Sequence, residues 1–139
     1  MVKKLAGIIL AAGNSTRLGQ PKQLLRWHGK TLLERAVDQL TTAVPDEVFL
    51  VYGDVPLPLG DINSSMHLLH NQRPEQGMGR SLKLALKKAQ ELDCSHVLIT
   101  LVDQPLIPRS HWHEIRSSLQ QGFRCVATGI TGEQKAPPM

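Results

Sequence analysis

Several short stretches of this chain stay apolar from one residue to the next instead of alternating, and that pattern restricts the fold more than any other feature. Leu5 to Leu10, Val48 to Tyr52 and His96 to Val102 have strand length and lie between turn signals. A strand with one wet face alternates, whereas one covered on both faces reads as a continuous apolar run, as in parallel sheets. Met66 to Leu69 and Phe123 to Thr128 read as two further strands. Between the runs lie segments of helical period. Thr31-Leu32-Leu33-Glu34 is a capping box, opening a helix with Leu33, Ala36, Val37 and Leu40 on one face; Pro45 ends that region. Ser81 to Leu92 aligns Leu82, Ala85, Leu86 and Ala89. Pro108 and Ser110 open a third helix with Trp112, Ile115 and Leu119 inward, closed by Gly122. Val55 to Gly60 is too proline-rich for a sheet interior and reads as a surface loop. The order β-α-β-β-α-β-α-β predicts a largely parallel sheet with helices on both faces.

Composition narrows the function classes. The 139 residues suit one domain with a real core, and 4% aromatic content leaves that core to Leu, Val, Ile and Ala. Sixteen Lys+Arg against twelve Asp+Glu give a net charge of +4. That favours an anionic ligand but is too small and dispersed for nucleic acid. Lys83, Lys87 and Lys88 fit a solvated helix face. Cys94 and Cys125 are isolated, which argues against a zinc site or disulfide framework and for a reducing, cytoplasmic setting. His111 and His113 fall on different faces of a helix, and His67 and His70 flank an apolar pair as strand-edge residues. Met1 to Lys4 followed by an apolar run mimics a signal peptide. The run is short, broken by Gly7, and leads into a charged loop without a small-x-small cleavage site. No run is long enough to cross a membrane.

In open parallel sheets ligands bind beyond the carboxyl ends of the strands. Three segments are predicted there. Leu10-Ala11-Ala12-Gly13 opens a small-residue loop carrying Arg17 and Lys22, where a phosphate can approach the backbone and meet cationic side chains. Asn71 follows a strand, and Gly77-Met78-Gly79-Arg80-Ser81 precedes a helix whose first amides are free. Asp103 ends an apolar strand, and its carboxylate suits Mg²⁺ beside a polyphosphate. Each has a plainer alternative: Asp103 capping a turn with Gln104 and Pro105, Ser81 capping a helix, Asn71 making a turn.

Taken together, Leu10-Ala11-Ala12-Gly13-x-Ser15-x-Arg17-x-Gly19-x-x-Lys22, Asn71 with Gly77-Met78-Gly79-Arg80-Ser81-Leu82, and Leu101-Val102-Asp103-Gln104-Pro105 resemble the MobA-like nucleotidyltransferases. Within them the chain is most similar to the molybdenum cofactor cytidylyltransferases. The first motif is shared with sugar-phosphate and isoprenoid nucleotidyltransferases; the other two narrow the resemblance, and Ala-Ala-Gly rather than Ala-Gly-Gly favours CTP over GTP. The resemblance implies a Rossmann-like three-layer α/β/α fold. It also implies Mg²⁺-dependent transfer of CMP from CTP to a phosphorylated acceptor such as molybdopterin, with release of pyrophosphate. Leu10, Ala11, Ala12 and Gly13 would wrap the triphosphate. Arg17 and Lys22 would act on the pyrophosphate and the α-phosphate as catalytic cations. Asn71, Gly77 and Ser81 would hold ribose and base, and Asp103 the metal. A molybdoenzyme maturation partner is a further candidate, and neither nucleic acid nor a membrane is expected. The chain stops at Ala136-Pro137-Pro138-Met139, where the family's acceptor-side portion would follow. The expectation is therefore a single nucleotide-binding domain over residues 1–139, truncated at its C-terminus. Its rivals are another cytidylyl- or sugar-phosphate nucleotidyltransferase and a non-catalytic nucleotide-binding module.

Overall fold

β1 (Leu5–Ala11) is buried along its whole length and forms the spine of the molecule. In the computed structural model, residues 4–13, 22–41, 45–55, 66–102 and 109–121 are described. After β1 come a 3₁₀ turn at Lys22–Leu24, the short strands β2 (Arg26–Trp27) and β3 (Lys30–Thr31), and α1 (Leu32–Thr41). β4 (Glu47–Tyr52), β5 (His67–His70), a 3₁₀ turn at Pro74–Gln76, α2 (Met78–Glu91), β6 (His96–Leu101) and α3 (Arg109–Gln120) complete the order. β5, β4, β1 and β6 lie side by side in that order, and every pair is parallel.

Strand pleating sends successive side chains to opposite faces, and both faces of β1 are covered. Leu5, Ile9 and Ala11 pack with Leu33, Ala36, Val37 and Leu40 of α1 and with Trp112, Ile115 and Leu119 of α3. Ala6, Ile8 and Leu10 pack with Phe49, Val51 and the α2 residues Ala85 and Ala89. Each fully buried Leu, Ile or Phe here contributes about 1.5–3 kcal/mol relative to exposure. This is the expected three-layer α/β architecture.

The α1 capping box forms as read: Thr31 Oγ1 accepts from the Glu34 amide at 3.1 Å, and Glu34 Oε1 accepts from the Thr31 amide at 3.2 Å. Three details differ from the sequence reading. α2 starts at Met78, three residues before the expected Ser81, because Gly77 (φ +97°) makes the turn and Gly79 lies inside the first helical turn. The buried stripe of α2 is Ser81, Ala85 and Ala89 rather than its leucines, and Leu86 is exposed. Small residues there let the helix lie close to the sheet. The β2–β3 hairpin was not anticipated. His28 and Gly29 both take positive φ, as a tight two-residue hairpin turn requires, and Arg35 donates to the carbonyls of Trp27 and His28. The predicted strand at 123–128, its preceding Gly122, Pro108, Cys125 and the loop beyond Val55 lie outside the described residues.

Candidate functional site

Parallel strands end on one edge, and the register shows which residues share that rim. Ala11 pairs with Tyr52, Tyr52 with His70, and Leu10 with Leu101. Ala12 and Gly13, Gly53, Asn71 and Val102 therefore leave the sheet together. The order of the sheet reverses between β1 and β6: the chain builds outward from β1 through β4 to β5, then returns to the other side of β1. The crevice at such a reversal is where open α/β sheets bind ligands. Gly13 is exposed at the end of β1, beside that reversal.

The loop after β1 is fastened from behind. Gln23 is fully buried in the 3₁₀ turn, and its side-chain amide donates to the carbonyls of Ala11 (3.0 Å) and Gly13 (2.9 Å). On another side Gly53 closes on the Ala12 carbonyl; a Cβ there would lie 2.7 Å from that oxygen.

A second cluster stands at the start of α2. Asn71, fully buried, is held by its backbone amide to the Tyr52 carbonyl at 2.8 Å. Its Nδ2 donates to Ser81 Oγ at 2.9 Å, and its Oδ1 accepts from the Arg73 amide (2.9 Å) and Arg80 Nε (3.1 Å). Arg80 Nη1 also donates to Gln76 Oε1 at 3.1 Å. These bonds are what a buried amide needs, since an unpaired polar group at such a position costs about 1–3 kcal/mol. Ser81 lies inside the first turn of α2 rather than at its cap; the cap is Gly77, which brings no side-chain oxygen to the helix amides. The helix start thus offers backbone donors that no described side chain caps, and a partial positive charge. Arg80 adds a cation at the end of the helix that disfavours one, which is sensible beside an anion.

Of the residues predicted for the site, Leu10, Ala11, Ala12 and Gly13 run to the rim on β1, and Asn71, Gly77 and Ser81 converge at the start of α2. Lys22 opens the 3₁₀ turn immediately before Gln23. Arg17 and Asp103 lie outside the described residues, Asp103 two positions beyond the end of β6. Among the described residues no three His, Cys, Asp or Glu side chains cluster to hold a metal, so the described rim supplies polar and backbone contacts but no metal cage. Sequence reasoning assigned no site role to Gln23, Gly53 or Arg80, although Arg80 lies within the Gly77–Ser81 motif. Arg80 carried a usable signal, a cation in a first helical turn; Gln23 and Gly53 carried none that periodicity could detect.

Comparison with known proteins adds an independent line. The MobA-like NTP transferase domain family matches residues 7–139. The chain belongs to this family. It is by family an NTP transferase domain. The chain is 31% identical over 125 residues to the bifunctional protein GlmU of Buchnera aphidicola, covering 87% of the chain and 27% of that relative. It is 39% identical over 54 residues to a probable molybdenum cofactor guanylyltransferase of Bacillus cereus, covering 39% of the chain and 27% of the relative. The matched part of the chain thus spans about a quarter of the length of these curated relatives. Among solved structures it superposes on Rv0371c of Mycobacterium tuberculosis with a TM-score of 0.76 at 26% identity, covering 88% of the chain and 63% of that protein. A manganese complex of the same protein superposes at 0.67 and 22% identity, over 86% of this chain and 61% of that one. No helix among the described residues is long and apolar enough to cross a membrane.

Proposed function

We propose that this MobA-like domain binds CTP along the carboxyl rim of its sheet and transfers CMP to a phosphorylated acceptor, most simply molybdopterin. The observation that carries the reading is the convergence on one rim of the fastened Gly13 loop and the Asn71–Ser81–Arg80 cluster, beside the reversal between β1 and β6. An extended nucleotide suits such a rim, with its phosphates at the backbone after β1 and its ribose and base toward the start of α2. Leu10 to Gly13 are assigned to the triphosphate, and Asn71, Gly77 and Ser81 to ribose and base. Asn71 already holds Ser81 and Arg80, so it acts largely by setting their positions.

In the reaction an oxygen of the acceptor phosphate attacks the α-phosphorus in line. The bond from that phosphorus to the bridging α–β oxygen breaks, and pyrophosphate leaves with the electron pair. Such transfer depends on positioning and charge stabilisation rather than on a side-chain nucleophile. Arg17 is assigned to the departing pyrophosphate and Lys22 to the α-phosphate. A divalent cation, with Asp103 as its proposed ligand, would neutralise phosphate charge when bound; the manganese complex of Rv0371c supports a divalent cation as a component of this group. The Ala11-Ala12-Gly13 sequence favours CTP, whereas the guanylyltransferase similarity favours GTP as the second reading. A cytoplasmic site of action and a molybdoenzyme as downstream partner accompany the first reading.

Calorimetric titration with CTP, GTP and ATP, each with and without Mg²⁺, tests this. CTP is expected to bind at least about tenfold more tightly than the others, a difference of about 1.4 kcal/mol. Tighter binding of GTP would move the chain to the second reading, and no binding of any nucleotide would end both. Pyrophosphate release on adding molybdopterin separates transfer from binding alone.

A further inference from the structure

Gln23 stands apart from every residue assigned above, because it is fully buried yet spends both hydrogens of its amide on the phosphate-side loop. We infer that Gln23 is a positioning residue of the donor site, fixing the backbone of Ala11 to Gly13 and tying it to Lys22. The inference rests on the nucleotide reading and deepens it.

Carbonyl oxygens carry partial negative charge, and a polyphosphate brought against a loop meets its carbonyls as well as its amides. The Gln23 NH₂ group occupies the oxygens of Ala11 and Gly13, two acceptors flanking one residue, so their dipoles are compensated inside the protein. The intervening Ala12 carbonyl is confined by Gly53, where even a methyl group would collide with it at 2.7 Å. Two of three consecutive carbonyls are therefore hydrogen-bonded in place before any ligand arrives, and the one between them is crowded on one side. The loop has no side chain of its own to do this at Ala11, Ala12 or Gly13. Fixing it in advance lowers the ordering cost that binding would otherwise carry.

Lys22 is held by the same anchor. It is the chain neighbour of Gln23 in the same 3₁₀ turn, so the two amide bonds also set how far the Lys22 backbone stands from the Gly13 loop. The turn is packed against α1, which keeps this strut from swinging. A catalytic cation must sit within a fraction of an ångström of its working position, and a small displacement costs rate even when the cation itself is intact. Gln23 thereby links the phosphate loop to the cation assigned to the α-phosphate.

Two near-isosteric substitutions test the inference. Gln23→Met keeps the volume and removes both donors; Gln23→Glu keeps the shape and turns a carboxylate toward two carbonyls. With folding verified by circular dichroism, CTP affinity with Mg²⁺ is measured by calorimetry from pH 6 to pH 8. Gln23→Met is expected to bind about 10–100-fold more weakly at every pH. Gln23→Glu is expected to be weaker than Gln23→Met at pH 8 and to recover as pH falls, because burial against carbonyl oxygens raises a carboxyl pKa and its protonated form can donate to one of them. A purely structural role would give no such pH profile. Gly53→Ala, which displaces the Ala12 carbonyl without touching Gln23, is expected to weaken CTP by about tenfold and serves if the Gln23 variants do not fold. Wild-type affinity in the folded variants overturns the inference, as does an equal, pH-independent loss in Gln23→Met and Gln23→Glu. Wild-type protein that binds no nucleotide removes the donor-site reading and this inference with it; wild-type binding with unaffected variants removes this inference alone.

Discussion

The two edges of the sheet are made from the same strands and are built in opposite ways. At the amino edge, side chains close the structure on itself. Asp46 Oδ2 accepts from the Leu5 amide at 2.7 Å, Ser95 Oγ accepts from the Lys4 amide at 3.1 Å, and Lys4 Nζ donates to the Leu92 carbonyl at 2.8 Å. Glu47 beside them takes a 2.7 Å contact from His67, which holds its carboxyl below the ordinary value of 4.5. At the carboxyl edge the loops are glycine-containing and open: Gly13, Gly77 and Gly79 are exposed, and α2 starts without a side-chain cap. There the buried polar residues, Gln23 and Asn71, fasten the backbone from behind rather than sealing it from the front. The lesson is a division of labour, with stability secured at one end of each strand and a receptive backbone kept at the other.

The largest effect expected from breaking this contrast is at Asn71. Replacing it with Leu leaves Ser81 Oγ without its partner in a buried setting, takes the part-buried Arg73 amide's acceptor away and releases Arg80 Nε. A loss of about 2–4 kcal/mol in urea unfolding is expected. CTP binding should fall together with stability, since the same bonds shape the site. The amino edge should separate the two quantities. Asp46→Ala removes a charge-assisted bond to a strand amide and is expected to cost about 1–2 kcal/mol of stability. It should leave CTP affinity unchanged, because a seven-residue strand puts about 20 Å between the edges. A joint loss of stability and affinity in Asp46→Ala would break the division of labour.

The smallest effect lies in α1. Hydrogen bonds from Thr31, first its backbone amide and then its hydroxyl, hold the Glu34 carboxyl below its ordinary 4.5. A lowered folded-state pKa means that the stabilisation is present above pH 4.5 and is lost as pH falls through the lower folded value. Glu34→Gln should therefore be less stable than wild type by about 0.5 kcal/mol at pH 7, with the gap closing toward pH 3 in urea titrations. The nucleotide site should not respond to this change.

The fold and the carboxyl rim were largely legible in the sequence, whereas the contacts of the amino edge were not. Continuous apolar runs identified four parallel strands, and the Thr31–Glu34 box identified the start of α1, because both patterns are local in the chain. The start of α2 was misplaced since Gly-Met-Gly has poor helix propensity, and the burial of Ser81 against Asn71 overrides it. The hairpin at 26–31 was too short for any period to show. The anchoring role of Gln23 was illegible for a different reason: it lies in carbonyls ten and twelve residues away, and nothing in its neighbours signals them. Arg17 and Asp103 were proposed from their charge beside strand ends and from the family resemblance; both, with the side chain of Lys22, lie outside the described residues.

Hydrogen–deuterium exchange with and without CTP and Mg²⁺ tests the central claim most directly, because it reports on both edges in one experiment. The account predicts slowed exchange at residues 11–13 and 77–81 and unchanged exchange at 46–48 and 93–96. Protection at the amino edge, or calorimetric binding without protection at either carboxyl-rim segment, would contradict it.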